Sequence, residues 1–167
     1  MRQKAFTLVE LLIVVVILGI LAAIVLPRFS NASAQARASM LADDLRVVRS
    51  QMEVFKGHHI GVPPGYPDCD ASQAPSEEAF IEQMTHSSTA AGETGPPGAD
   101  GFDYGPYLLE MVPNPVNNKR TVEVLADDAD FPDAADDSHG WVYQPATLEF
   151  RADCLGADAS GRSYFDY

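Results

Sequence analysis

Lys4-Ala5-Phe6-Thr7-Leu8-Val9-Glu10-Leu11-Leu12 leads into an apolar run that stops only at Leu26-Pro27, and one carboxylate, Glu10, lies inside it. Leu11 to Leu26 is sixteen apolar residues if Gly19 is counted. From Phe6 the stretch has twenty-one residues, which as a helix reach roughly 31 Å at about 1.5 Å per residue, enough to cross a bilayer. An acidic group costs about 2.5 to 3.5 kcal/mol at the bilayer centre and less near an interface, so Glu10 is tolerable only near one end and calls for a positive partner. Arg2 and Lys4 precede the run. By the positive-inside bias they stay in the cytoplasm and everything after Pro27 lies outside.

The helical pattern does not end with the apolar run. Ala34, Ala38, Leu41, Leu45, Val48, Met52 and Phe55 recur at spacings of four and three, one stripe of a continuing amphipathic helix. A secretory signal with cleavage near Ala22-Ala23 is the alternative reading. It accounts neither for the abrupt polar-to-apolar junction after Ala5 nor for the continuing stripe. Gly19 and Pro27 are the weak points of the rod, because glycine raises the entropic cost of helix and proline removes a backbone donor. They mark either a tolerated kink or a place of local unwinding in an assembly.

These residues resemble the class III leader and N-terminal helix of type IV pilins and type II secretion pseudopilins, over Arg2 to Ser30. The resemblance implies cleavage by a prepilin peptidase between Ala5 and Phe6, N-methylation of the new Phe6 amine, and Glu10 as the fifth residue of the mature chain. The pattern departs at one position: Ala5 stands where the family usually has glycine. A free Phe6 amine is a positive group that a neighbouring subunit's Glu10 can pair with, and a low-dielectric surround strengthens the attraction while making an unpaired charge costly. Phe6, Glu10, Gly19 and Pro27 are thus the expected assembly residues.

Charge divides the chain. Residues 1–56 carry seven basic and four acidic side chains, net +3, and residues 57–167 carry four basic and twenty acidic, net −16. An acidic domain of this kind repels nucleic acid and anionic lipid, which excludes a DNA-binding role for it. The expected organisation is a leader (1–5), a transmembrane or filament-core helix (6–27), the amphipathic half of that helix (28–56), and one extracytoplasmic globular domain (57–167). Cys69 and Cys154 fall in the last part, where a disulfide is permitted. Pairing them closes a long loop worth several kcal/mol on the chain-entropy account; two unpaired thiols are the alternative.

Beyond the rod, Gly57 to Pro75 reads as a Gly- and Pro-rich loop. A short helix follows, with Ser76 as N-cap, Glu77 and Glu78 in its first turn, and Phe80, Ile81 and Met84 toward a core. Ser87 to Gly101 reads as loop. Thr121–Leu125, Gly140–Tyr143 and Leu148–Arg151 carry strand patterns, with Gln144–Thr147 as a turn. The fold class is α+β: a long N-terminal helix packed on a small C-terminal antiparallel sheet with long loops. Gly105-Pro106-Tyr107-Leu108, Val112-Pro113-Asn114-Pro115 and Gly140-Trp141-Val142-Tyr143 resemble the major pseudopilins more than fimbrial pilins.

Six aspartates fall within eleven residues, Asp127, Asp128, Asp130, Asp133, Asp136 and Asp137. Such density suits calcium, which takes six to eight oxygen ligands, and the resemblance implies a calcium site in C-terminal loops. Asp127, Asp128, Asp130 and Asp133 are the candidate ligands, although the spacing is not that of an EF-hand. The alternative is a solvated, mobile acidic loop. The sequence has no G-x-S-x-G, H-E-x-x-H, phosphate-loop or dinucleotide motif, so no enzyme is expected.

Two function classes remain. The first is a structural filament subunit, anchored in the bacterial inner membrane with its N-terminus cytoplasmic. It polymerises through its helix into a type IV pilus or a type II secretion pseudopilus, and its partners are further copies of itself, the peptidase, a motor ATPase and an inner-membrane platform. The second is a static single-span anchor bearing an extracytoplasmic binding domain, in which Phe6 and Glu10 have no role.

Overall fold

The computed structural model describes residues 7–167, and side chains from 33 onward as well as over 7–23. Helix α1, Leu8–His58, is fifty-one residues long. Its backbone stays helical through the positions of Gly19 and Pro27. From Ala38 its expected stripe meets the domain: Ala38, Leu41, Leu45, Val48, Met52 and Phe55 are all buried, while Ala34 is half-buried. The period-3.6 pattern thus selects the face that packs.

Helix α2, Glu77–Thr85, is capped by Ser76, whose hydroxyl accepts the Ala79 amide at 3.2 Å. Phe80 and Met84 enter the core and Ile81 packs at its edge. Strands β1, Ser87–Ser88, and β2, Thr94–Gly95, form a small antiparallel ladder inside the stretch read as loop. The main sheet has strands β3, Val122–Val124, β4, Trp141–Gln144, and β5, Glu149–Ala152, in the order β3-β4-β5. The three strands fall where their patterns put them.

The sheet is mixed rather than antiparallel throughout, since β4 and β5 form a hairpin but β3 runs parallel to β4, Val122 opposite Trp141. A parallel pair needs a crossover of a dozen or more residues. Here that crossover is 125–140, the stretch holding the six clustered aspartates. A connection on the outside of a small sheet stays wet, and its carboxylates suit that position.

Aromatic rings fill the space between sheet and helices. Phe80 lies 4.8 Å from Tyr143, and Trp141 lies 5.4 Å from Phe150, ring centre to ring centre. Each polar end finds a partner: Trp141 Nε1 donates to the Val112 carbonyl at 3.0 Å and the Tyr143 hydroxyl donates to the Pro64 carbonyl at 2.9 Å. Glu77 Oε1 accepts the Val122 amide at 2.8 Å, fixing α2 to the first strand of the sheet.

Cys69 and Cys154 are free thiols, not a disulfide. Each lies in separate surroundings: Cys69 ends a 3-10 turn, Pro67–Cys69, with Gln83 Nε2 3.8 Å from its sulfur, and Cys154 is buried just past β5. Permissive topology alone does not bring two sulfurs together.

Candidate functional site

The start of α1 is built around Thr7 and Glu10. Thr7 is the N-cap, and its hydroxyl accepts the Glu10 amide at 3.2 Å. The Glu10 carboxylate in turn accepts the Thr7 amide at 2.9 Å and the Thr7 hydroxyl at 2.8 Å. This is a capping box, in which two helix-end donors are satisfied reciprocally. The signal, Thr followed three residues later by Glu before an apolar run, stands in the sequence at Thr7-Leu8-Val9-Glu10. Glu10 therefore has a partner within its own chain. Ala5 and Phe6 lie outside the described residues, as does the side chain of Pro27.

Past Glu10 the helix is apolar on every side. The large apolar side chains from Leu8 to Leu21 are between 49% and 82% exposed. A helix that is apolar all round requires lipid or other protein around it. No helix among the described residues is long and apolar enough to cross a membrane. The described apolar side chains end at Ala23, and from Leu8 they reach about 24 Å against a hydrocarbon core of about 30 Å. The expected segment 6–27 extends past them at both ends. Gly19 lies in this part with nothing within 4 Å of where a Cβ would stand.

The outer half of α1 is clamped to the domain by Arg49. Its Nε and Nη2 donate to the Phe150 carbonyl at 3.0 and 2.7 Å, and Nη2 also reaches the main-chain oxygen of Tyr167 at 3.2 Å. The rod and the domain are thus joined by polar bonds as well as by packing.

The four calcium candidates do not converge. Asp127, Asp128, Asp130 and Asp133 are all exposed, and among the described residues no three His, Cys, Asp or Glu side chains are grouped to hold a metal. Asp127 is instead bonded to the Tyr66 hydroxyl at 2.6 Å. The organised part of the crossover is its return end. There the buried Asp153 carboxylate accepts the amides of Asp136, Asp137 and His139 at 2.9, 3.1 and 2.8 Å, and the Ser138 hydroxyl at 3.2 Å. Asn117 Nδ2 adds bonds to Asp137 Oδ1 and to the carbonyls of His139 and Asp153 at 2.8 to 2.9 Å. The Ser138 hydroxyl and amide hold the Asp136 carboxyl below the usual carboxylate range. Backbone donors thus offset the repulsion expected of adjacent carboxylates.

An apolar rod capped at its start by Thr7, its outer half clamped to a small acidic α+β domain, defines a class of subunit made to be buried lengthwise among other molecules. The prokaryotic N-terminal methylation motif matches residues 1–26. Type II secretion system core protein G of Pseudomonas aeruginosa is 36% identical over 117 residues, 70% of each chain. Type IV narrow pilus major component PilA5 of Thermus thermophilus is 43% identical over 89 residues, 53% of this chain and 73% of that protein. Type IV major fimbrial protein FimA of Dichelobacter nodosus is 45% identical over 61 residues, 35% of this chain and 39% of its own. No solved structure matches. The chain belongs to the pilin and pseudopilin family, as a structural filament subunit.

Proposed function

We propose that this chain is the subunit of a type II secretion-type pseudopilus. A prepilin peptidase cuts between Ala5 and Phe6, and the Phe6 amine is methylated. The chain waits in the inner membrane through 6–27, N-terminus cytoplasmic and domain periplasmic, until a platform and motor ATPase draw it into the filament. The observation carrying this reading is Glu10 at the mouth of a rod whose apolar side chains are exposed on every side. In the separate chain its carboxylate is held by Thr7; among packed rods its remaining lone pairs are available to a neighbour's amine, and a low-dielectric surround strengthens that attraction. The pseudopilus is favoured over a surface pilus because the match to core protein G covers 70% of the chain, against 53% for PilA5 and 35% for FimA.

Mass spectrometry of the N-terminus from native membranes tests the processing, with a monomethylated Phe6 expected and an intact Met1 in assembled material counting against it. Glu10→Leu tests the assembly. Removing a lipid-buried carboxylate leaves membrane insertion intact or improved, while filaments are lost. Filaments of normal abundance from a strain carrying only Glu10→Leu would overturn the reading in favour of a static anchor. Deletion of the gene separates the two filament types: exoprotein secretion fails for a pseudopilus, and surface fibres vanish for a pilus.

A further inference from the structure

Helix α1 ends in a cluster of five rings, two of which are histidines. His59, the C-cap, stacks on Phe55 with ring centres 3.9 Å apart, and Tyr104 and Tyr107 meet it edge-on at 5.8 and 6.3 Å. His58 lies 4.8 Å from the Tyr104 ring, and its Nδ1 is 3.0 Å from the Tyr107 hydroxyl. The two histidines differ in access to water: His58 is exposed, and His59 is buried at 1%.

The bonds of His59 fix its protonation. The Phe55 carbonyl, 2.8 Å from Nδ1, can only accept, so Nδ1 carries the hydrogen. Nε2 of the neutral ring is then the acceptor for the Ser88 hydroxyl at 3.0 Å. A second proton would turn Nε2 into a donor and leave a cation that no carboxylate pairs with among the described residues. The titratable groups around the ring offer it no counter-charge. Helix α1 brings His58, a like charge once protonated. Strand β1 brings the neutral Ser88, and the chain after β2 brings the neutral hydroxyls of Tyr104 and Tyr107. An unpaired charge in such a place is costly.

The segment bonded to His59 is weakly anchored. Residues 87–104 form a flap containing β1 and β2, closed by a bridge in which the Ser88 amide donates to the Tyr104 carbonyl at 2.8 Å and the Tyr104 amide to the Ser88 carbonyl at 3.1 Å. Its buried residues are Ser87, Ser88, Gly92 and Gly95, without one large apolar side chain. Little buried apolar surface means low local stability. A single buried polar bond is therefore a large share of what holds the flap down. The main sheet is held by Trp141, Tyr143 and Phe150 instead.

We propose that His59 and Ser88 form an acid-released clasp: a proton on His59 frees the 87–104 flap from the end of α1 while the main sheet stays folded. With the flap open, the ring reaches water and titrates near the ordinary 6.5; with the flap shut, burial lowers that value. The shut form is thus favoured above pH 6.5 and is lost as the pH falls from there through the value of the shut form. The clasp goes beyond the filament reading and does not depend on it.

Hydrogen exchange of the full-length chain in detergent micelles tests it, followed amide by amide at about pH 7.5 and about pH 5 and corrected for the intrinsic effect of pH on exchange. The amides of Ser88, Thr89, Gly92 and Tyr104 are expected to lose protection together, about tenfold at the lower pH, while the β4–β5 ladder keeps its own. His59→Phe keeps a ring over Phe55 and takes no proton, so flap protection should be equal at both pH values. His58→Gln, an exposed change, should leave the wild-type response in place. The wild-type chain alone supplies a further check, since the midpoint of flap opening should coincide with the NMR titration midpoint of the His59 ring. Flap protection that ignores pH, falls together with that of the sheet, still responds in His59→Phe, stops responding in His58→Gln, or changes at a midpoint apart from that of His59 would each overturn the clasp.

Discussion

Arg49 donates twice to the carbonyl of Phe150, from Nε at 3.0 Å and Nη2 at 2.7 Å, and so ties the middle of the amphipathic half of α1 to strand β5. The group is half-buried, and burial holds its guanidinium pKa below the usual value. Arg49→Met keeps the aliphatic stem and removes the donors. The expected cost is about 2 kcal/mol, the range for hydrogen bonds to a charged group. Arg49→Lys recovers only part of it, because an ammonium cannot reproduce the planar fork. Urea unfolding of the domain measures both.

Asp153 is the anchor of the crossover's return end. Asp153→Ala leaves the amides of Asp136, Asp137 and His139 without their acceptor, and a loss of about 2 kcal/mol is expected. Hydrogen exchange reads the local effect. Those three amides should lose protection together while the β4–β5 ladder keeps its own, and unchanged protection at 136–139 would count against the latch.

His59 is buried, with Nδ1 against the Phe55 carbonyl at 2.8 Å and Nε2 against the Ser88 hydroxyl at 3.0 Å. Burial lowers its pKa from the ordinary 6.5, more than the Phe55 carbonyl raises it. The unfolded chain then binds a proton at a pH where the folded chain does not. Stability from this group is complete above pH 6.5 and falls as the pH drops below that until the folded value is passed. NMR titration should find the His59 midpoint below 6.5. His59→Phe, able to keep the stacking on Phe55, should flatten this part of the stability profile.

Burial, with a smaller push from Asp68, raises the Cys69 thiol to about 11. Cys154 is shifted upward as well, chiefly by burial. Both should resist alkylation at pH 8 in the native protein and react fully in denaturant, two thiols per chain, with no change in melting temperature on adding reductant. Cys69 also limits its neighbour. A Cβ on Gly92, where φ is +94°, would stand 2.4 Å from the Cys69 sulfur, so Gly92→Ala should cost about 2 kcal/mol or more.

What could be read in advance follows from how local each signal is. The stripe from Ala38 to Phe55 and the Ser76 cap depend on neighbours within a turn or two, and both stand where the spacing puts them. Pairing direction is not local. Val122–Val124 carries the same pattern whether its partner runs with it or against it, and only the long 125–140 connection hints at the parallel choice. The Asp153 latch joins a residue after β5 to amides 14 to 17 positions earlier, and no period marks such a contact. The free thiols have the same origin, since chain topology sets the chemistry available to a cysteine but not its nearest atoms. Glu10 is legible as a lone carboxylate in an apolar run, and the Thr7 capping box is equally local, set by a spacing of three residues.

The first thirty residues of α1, Leu8 to Arg37, come before the buried stripe begins at Ala38. They measure about 45 Å of contour, a long lever for a domain of this size. In a stack, each copy therefore reaches down past the domains next to it and takes hold of molecules added well before it. Axial load is shared over many partners rather than carried by one joint. An interior copy cannot leave without sliding its whole lever free, so such a fibre shortens from its ends.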